Sequence, residues 1–138
     1  MGCENLGPLL WLHEYRWLAD FYQGRPTLAL FRGAPGLFGT DAAAKLIAAD
    51  ARPTLVFFDF DPKGVSMAAS LPRREALCLP PWPALEAATR RAQRQTLFIQ
   101  SAPSSRVHLA RVQDGDIALA WQRLRRLTLG LNQEGFPR

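Results

Sequence analysis

The sequence contains only two cysteines, Cys3 and Cys78, and they lie far apart in apolar surroundings. Neither belongs to a group with metal-ligand spacing, so a zinc site is not indicated. Two cysteines do not make the disulfide framework of a small secreted domain, and 48% apolar content can fill a core without one. We therefore expect two free thiols in a reducing cytoplasm.

Long uninterrupted apolar runs are absent as well. Charged residues interrupt every long apolar stretch, so no segment reaches the roughly 20 residues of a membrane-spanning helix. The first residues do not combine a basic segment with an apolar one, so they do not resemble a secretory signal. The sequence shows no repeat and no low-complexity linker. These features predict a cytoplasmic protein with a single domain over residues 1–138 and no membrane contact.

Acidic residues are scarce in the second half of the chain. Residues 71–138 contain 11 Lys and Arg against 5 Asp and Glu, whereas residues 1–70 contain 6 against 7. The basic residues of the second half are arginines, whose planar forks match phosphate geometry, so they indicate a nucleic-acid partner. The alternative is that they form only the solvated faces of two amphipathic helices.

Apolar periodicity predicts an α/β layer with a parallel sheet over residues 1–80. The first three residues are too few to form a strand of their own. The elements predicted after them are a helix over 9–22, a strand over 27–31, a helix from Thr40 or Asp41 to Ala49, a strand over 54–58, a helix over 62–71 and a strand over 75–79.

Residues 81–138 are predicted to form a helical, basic extension of this layer. The pattern predicts a helix over 84–99, a Ser/Pro turn at 101–105 and a short amphipathic segment to Val112. A last helix follows the capping residues 114–116. Its predicted apolar face consists of Ile117, Ala120, Trp121, Leu124, Leu127 and Leu131.

Two carboxylates follow the most apolar segment of the chain. Asp59 and Asp61 come directly after the uncharged run 54–58. A continuous apolar run is typical of a strand buried on both faces of a parallel sheet. Side chains two apart on a strand point the same way, so the two acids can converge while Phe60 turns to the core. Ligands of open α/β sheets bind at the carboxyl ends of strands, so this pair is a candidate site.

The same residues also have purely structural explanations. Asp61 can be the N-cap of the next helix, with Pro62 in its first turn, and Asp59 can simply end a strand. The two histidines, His13 and His108, have no partner at catalytic spacing.

The turn at residues 59–64, Asp-Phe-Asp-Pro-Lys-Gly, resembles the Asp-x-Asp-Pro-x-Gly turn of TOPRIM domains. These are the metal-binding domains of topoisomerases, primases and certain nucleases. The turn is most similar to those of topoisomerase VI A-type subunits and of the nuclease subunit of Wadjet plasmid-defence systems. In that group the first acid belongs to a Glu-Asn pair before a helix, as Glu4 and Asn5 do here. Residues 32–36 match a strand that ends in glycines, and residues 132–134 partly match a Glu-Gln-Glu-like segment.

This resemblance implies a TOPRIM/Rossmann-like sheet in which Glu4, Asp59 and Asp61 are both catalytic residues and metal ligands. Oxygen ligands suit a hard cation, so the expected cofactor is Mg²⁺ or Mn²⁺. The implied reaction is phosphodiester hydrolysis on DNA, with one or two ions and with Glu4 as a base or a ligand.

The candidate phosphate contacts are basic residues. Lys63 follows Asp61 at a predicted helix N-terminus, where phosphates are favoured. The other candidates for binding DNA are arginines, namely Arg32, Arg90, Arg91 and Arg94.

The chain also differs from these families. Only three residues precede Glu4, where a TOPRIM domain has a full strand, and an upstream DNA-binding region is lacking. Asn132 stands where an acid is expected. We therefore expect a truncated reading frame or an excised domain that works with other subunits of a defence or topoisomerase-like complex, or as a homodimer. Glu14 is the reserve candidate for the first acid.

Two other functions remain as alternatives to the nuclease. The first is a non-catalytic DNA-binding or assembly module with the same fold. The second is a phosphatase or phosphotransferase of the haloacid dehalogenase type with Asp59 as nucleophile, although such enzymes carry their Asp-x-Asp near the chain start. A strand-passage reaction is not indicated, because Tyr15 and Tyr22 lie within a predicted helix.

Overall fold

The computed structural model describes residues 1–34, 39–113 and 115–138. Its sheet consists of parallel strands in the order β2-β1-β3-β4. The strands are β1 (Gly2–Cys3), β2 (Leu30–Phe31), β3 (Thr54–Phe57) and β4 (Arg74–Leu77). The protein is therefore α/β with a four-stranded parallel sheet flanked by helices, as predicted. Pro35, Gly36 and the predicted cap Asp114 lie outside the described residues.

The helices of the described ranges differ widely in length. They are α1 (Leu6–Leu10), α2 (Ala19–Tyr22), α3 (Thr40–Ala49), α4 (Pro62–Ala69), α5 (Trp82–Ala92), α6 (Gln95–Arg111) and α7 (Gly115–Leu127), with 3-10 turns at Leu12–Glu14, Arg16–Leu18 and Gln133–Gly135. Not one of the helices in this described part is both long and apolar enough to cross a membrane.

Strand β3 lies inside the sheet, with β1 on one side and β4 on the other. Val56 pairs with Gly2 in β1 and with Leu77 in β4. Every residue of β3 is buried, which explains its continuous apolar run, because both of its faces need apolar side chains.

Helices α4, α6 and α7 pack against one another, and α4 and α7 also contact β4. Five of the six residues predicted for the last apolar face lie in α7 and are buried there. The start of α7 is held to the edge strand β4 by Asp116, which pairs with the Arg74 guanidinium at 2.6 Å and accepts the Leu77 N–H at 2.7 Å.

An aromatic cluster joins β3 to both ends of the chain. The Phe57 ring lies 5.2 Å from the Tyr15 ring, 5.7 Å from the Trp17 ring and 5.8 Å from the Phe136 ring. Trp17 also donates its indole N–H to the Pro137 carbonyl at 2.7 Å. The C-terminal tail is therefore packed against the strand that carries Asp59.

The prediction for the first three residues was wrong. Gly2–Cys3 forms β1, which lies between β2 and β3 in the sheet. The carbonyl of Met1 accepts the Leu30 N–H at 2.8 Å, and the carbonyl of Cys3 accepts the Arg32 N–H at 2.9 Å. A strand this short forms because a neighbour on each side supplies hydrogen bonds, which the local sequence does not indicate.

The single helix predicted over residues 9–22 was also wrong. Tyr15 has φ −83° and ψ 76°, which is not helical, and it separates two 3-10 turns between α1 and α2. Tyr15 is only 2% exposed, and Leu18 is 0% exposed. The free energy gained by burying these two side chains therefore exceeds the free energy that a continuous helix would provide. The strand predicted over 27–31 is shortened to Leu30–Phe31.

The helices after β4 also depart from the prediction. The helix predicted over 84–99 ends at Ala92, because Gln93 adopts a positive φ of 52°. The turn predicted at 101–105 was wrong, since α6 continues through Pro103. Ser105 and Leu109 are 5% and 1% exposed, so packing of the second half of α6 outweighs the cost of the internal proline.

Two helices agree closely with the prediction. Helix α3 spans Thr40–Ala49, although its N-cap is Gly39 rather than Thr40 or Asp41. Asp61 is the N-cap of α4 with Pro62 in the first turn, so both predicted roles are confirmed.

We predict that Gly64→Ala will destabilise the protein by roughly 1–3 kcal/mol, the usual cost of overpacking. A Cβ at this position would clash with the Asp59 carbonyl oxygen, so α4 or the end of β3 must shift. Gly7→Ala in α1 is the control, because its Cβ would meet nothing within 4 Å. Urea unfolding measures both variants, and equal midpoints would contradict the prediction.

Candidate functional site

Glu4 and Asp59 meet at the carboxyl edge of the sheet. They follow β1 and β3, which are parallel neighbours, so their backbones emerge side by side. Glu4 Oε2 accepts the backbone N–H of Asp59 at 3.1 Å, and the Glu4 N–H donates to the Phe57 carbonyl at 3.2 Å. Glu14, the reserve acid, instead forms an ion pair with Arg138. Glu4 is therefore the first acid that the fold places beside Asp59.

The Asp59 carboxylate is buried and accepts three N–H groups from the part of the chain that the structure describes. Oδ1 accepts the Asn5 side-chain amide at 2.9 Å and the Gln133 backbone N–H at 2.7 Å. Oδ2 accepts the Asn132 side-chain amide at 3.0 Å. Asp59 is only 6% exposed, so these donors replace the water that an exposed carboxylate would bind.

Asp61 has a structural role at the start of α4. Its Oδ1 accepts the Gly64 N–H at 2.7 Å, which caps the helix. Phe60, between the two acids, is 0% exposed and turns to the core as predicted. Its backbone N–H and carbonyl pair with Leu131 at 2.8 and 2.9 Å, which brings the C-terminal tail alongside the acids.

Gln133 ties this tail to the sheet. Its side-chain Nε2 donates to the Phe57 carbonyl at 2.7 Å, and its Oε1 accepts the Asn5 N–H at 2.9 Å. Its own carbonyl accepts the Tyr15 hydroxyl at 3.3 Å. The side chain is fully buried, so one glutamine links the residues after β1 to the end of β3.

Three residues of this network were not among the predicted site residues. They are Asn5, Asn132 and Gln133, whose contacts with Asp59 join parts of the chain 54 to 74 positions apart. Glu134 lies nearby, where its Oε2 accepts the Asn5 amide at 3.4 Å. The one sequence signal that pointed to the tail was the partial match of residues 132–134 to a Glu-Gln-Glu-like segment.

Burial disfavours the charged forms of the three acids. It raises the pKa of Glu4 from 4.5 to about 7, and the nearby Asp59 charge adds to this increase. Burial also raises the pKa of Asp59 from 3.8 to about 6, against the lowering effect of the hydrogen bonds from Gln133 and Asn132. The pKa of Asp61 is raised by burial as well. A cation bound here would offset this cost.

Two of the predicted phosphate-binding arginines lie next to the network. Arg32 Nη2 is 4.0 Å from Glu4 Oε1, and its buried Nε has no hydrogen-bond partner among the described residues. Arg94 Nη2 donates to Asn132 Oδ1 at 3.3 Å.

The other predicted phosphate contacts lie on exposed helical positions. Lys63 is exposed in the first turn of α4, directly after Pro62. Arg90 and Arg91 are exposed in the last turn of α5, where Arg90 pairs with Glu86 at 2.8 Å. The fold therefore places Arg32 and Arg94 against the network and Lys63 near Asp61, whose pKa its charge lowers. Arg90 and Arg91 lie on a helix surface.

Glu4, Asp59 and Asp61 offer carboxylate oxygens, which are the ligands that hard divalent cations prefer. Over residues 1–34, 39–113 and 115–138, no group of three or more His, Cys, Asp and Glu side chains is arranged to hold a metal ion. Mg²⁺ is commonly held by one or two carboxylates, with waters and substrate phosphates as its other ligands. Glu4 and Asp59 are the pair that meets this smaller requirement.

A family model described as "Domain of unknown function (DUF7281)" matches residues 3–136. The chain therefore belongs to the DUF7281 family. No curated protein and no solved structure matches it.

We predict that the metal-free protein is more stable at pH 5 than at pH 8. Because the pKa values of Glu4 and Asp59 are raised in the folded state, the folded chain binds more protons than the unfolded chain between about pH 4 and 7. The free energy of unfolding therefore falls as pH rises through this window, by about 1.4 kcal/mol for each unit of pKa difference.

Urea unfolding at the two pH values measures this dependence. We expect Glu4→Gln to reduce it, whereas Glu14→Gln, the control at an acid paired with Arg138, should leave it intact. Equal pH dependence in both variants would contradict the assignment to Glu4.

Proposed function

We propose that this member of the DUF7281 family carries out divalent-metal-dependent phosphodiester chemistry on DNA, as a TOPRIM-type nuclease domain of a larger protein or complex. The observation that carries the proposal is the meeting of Glu4 with Asp59 at the carboxyl edge of a parallel sheet, where Glu4 Oε2 accepts the Asp59 N–H at 3.1 Å. Ligands of open α/β sheets bind at this edge.

The charge balance of the site supports a cation. Burial raises the pKa of Glu4 and of Asp59, so their negative charges are costly without a compensating positive charge. Arg32 lies 4.0 Å from Glu4 and supplies such a charge to only one of the two acids. Glu4 and Asp59 would hold Mg²⁺ or Mn²⁺. Asp61, which caps α4, would add its negative charge beside them, since that charge acts on both acids. When bound, such an ion polarises a phosphodiester and activates water.

The protein side chains around the ion would orient the metal ligands and bind the substrate phosphate. The three N–H donors keep Asp59 in one orientation, so its carboxylate needs no reordering before the substrate binds. Arg32, at 4.0 Å from Glu4, and Arg94, which donates to Asn132, would contact phosphate oxygens, together with Lys63 at the start of α4. Without a bound cation, burial raises the pKa of Glu4 to about 7, so cation binding near neutral pH would release its proton and leave a carboxylate that can act as a base or a ligand.

The arginines of the second half support DNA as the substrate. Arg90 and Arg91 end α5, and Arg94 follows them immediately before α6. These exposed guanidinium groups would bind a phosphate backbone, and Arg94, which contacts Asn132, would direct it to the site. We also propose a cytoplasmic location, with other subunits of a defence or topoisomerase-like complex, or a second copy of the chain, as partners.

A second candidate is a non-catalytic DNA-binding or assembly module. It is favoured by the hydrogen bonding of Asp59, because amide donors already contact both carboxylate oxygens. In that case the acids would serve only to hold the two ends of the chain on the sheet, and the arginines would bind DNA without a metal.

We predict that the protein nicks supercoiled plasmid DNA with Mg²⁺ or Mn²⁺, and that Asp59→Ala and Asp61→Ala each reduce the rate by about 100-fold or more, because each loses charge stabilisation of several kcal/mol. Asp20→Ala, at an exposed acid in α2, is the control and should nick normally. Nicking that survives both site substitutions would contradict the metal-site assignment.

DNA binding distinguishes the two candidates even if the isolated chain does not cleave. For the nuclease, we predict that Ca²⁺ or Mn²⁺ tightens binding of DNA by the wild type but not by a Glu4→Gln, Asp59→Asn, Asp61→Asn triple variant. For the binding module, the cation should have no effect, and the triple variant should bind at least as tightly, because it has lost negative charge. Fluorescence anisotropy at constant ionic strength measures both.

A further inference from the structure

Among the described residues, the Asn132 side chain forms two hydrogen bonds, and both lie at the proposed site. Its Nδ2 donates to Asp59 Oδ2 at 3.0 Å, and its Oδ1 accepts from Arg94 Nη2 at 3.3 Å. The two contacts orient the amide, with its oxygen toward the cationic guanidinium and its N–H toward the carboxylate. The side chain therefore bridges a candidate phosphate contact and a candidate metal ligand.

The backbone around this bridge is held from both sides. Leu131, next to Asn132, pairs with Phe60, next to Asp59, through two backbone hydrogen bonds. The Gly130 N–H donates to the Arg94 carbonyl at 3.1 Å. Asp59 and Arg94, the two partners of the Asn132 amide, thus lie on segments whose backbones are hydrogen-bonded to the segment that carries Asn132. The backbone pairing therefore brings the three side chains together.

The donors around Asp59 limit how it can bind a cation. A carboxylate oxygen accepts two hydrogen bonds along its two lone pairs. Among the described residues, Oδ1 already accepts two N–H groups, from Asn5 and Gln133, whereas Oδ2 accepts one, from Asn132. The open lone pair of Asp59 is therefore on Oδ2, beside the Asn132 amide.

We infer that Asn132 is a positioning residue of the proposed metal site. Its amide holds the Asp59 carboxylate so that Oδ2 offers one lone pair to a divalent cation. The inference rests on the proposed function, since it requires that the acids bind a metal. It assigns a role to the residue that stands where the resemblance led us to expect an acid. Groups that hydrogen-bond to metal ligands commonly change metal affinity by about 10–100-fold when they are removed.

Mn²⁺ binding to the full chain tests the inference, with free Mn²⁺ measured by electron paramagnetic resonance at pH 8. We expect Asn132→Ala to weaken Mn²⁺ binding by about tenfold or more. Gln122→Ala, which truncates an exposed amide on α7, should bind as the wild type does.

A double-mutant cycle separates positioning from a general effect on folding. If Asn132 acts through Asp59, Asn132→Ala should cause less than about a twofold further loss in an Asp59→Asn background. Thermal unfolding without metal shows whether each variant is folded, and for an unfolded Asn132→Ala protein the same comparison is made with Asn132→Ser.

Each result has a definite meaning. An unchanged Mn²⁺ affinity in folded Asn132→Ala or Asn132→Ser, or an equal loss in the Asp59→Asn background, overturns the positioning role while the proposed function stands. A wild type that binds no Mn²⁺ overturns both. The expected loss, absent from Gln122→Ala and from the Asp59→Asn background, supports both.

Discussion

The hydrogen-bonded burial of Asp59 is the constraint on which the site depends. A buried carboxylate is costly unless donors replace its water. Here the donors are the amide of Asn5, near one end of the chain, and two N–H groups of Asn132 and Gln133, near the other. Both ends of the chain must therefore return to the end of β3 before this acid can be buried, and the site and the fold form together.

Apolar packing places these polar groups. The rings of Tyr15, Trp17 and Phe136 surround Phe57, two residues before Asp59, and they belong to the N-terminal segment and to the tail. Because aromatic burial contributes more free energy than a single hydrogen bond, the cluster holds the tail in place and the Gln133 side chain then sets its register. The hydrogen bonds to Asp59 therefore have a fixed geometry because the aromatic contacts around Phe57 hold the tail against the sheet.

Much of the fold could be predicted from local patterns, and the exceptions have a common cause. The continuous apolar run of β3, the α7 face and the cap at Asp61 follow from burial and capping rules that act over a few residues. Strand β1 could not be predicted, because its two residues are held by hydrogen bonds to distant strands. The passage of α6 through Pro103 likewise depends on core packing.

For the site, the sequence by itself determined which acids are candidates and where they lie on their strand. Asp59 and Asp61 follow a continuous apolar run, which is typical of a strand buried on both faces. The sequence also indicated, through residue type, which cations those oxygens suit. Only the tertiary structure decided that Glu4 reaches Asp59 and that Asn132, rather than another acid, bridges Asp59 to Arg94. The physical reason is that these contacts join residues 38 to 73 positions apart, whose meeting depends on strand order and on packing of the tail.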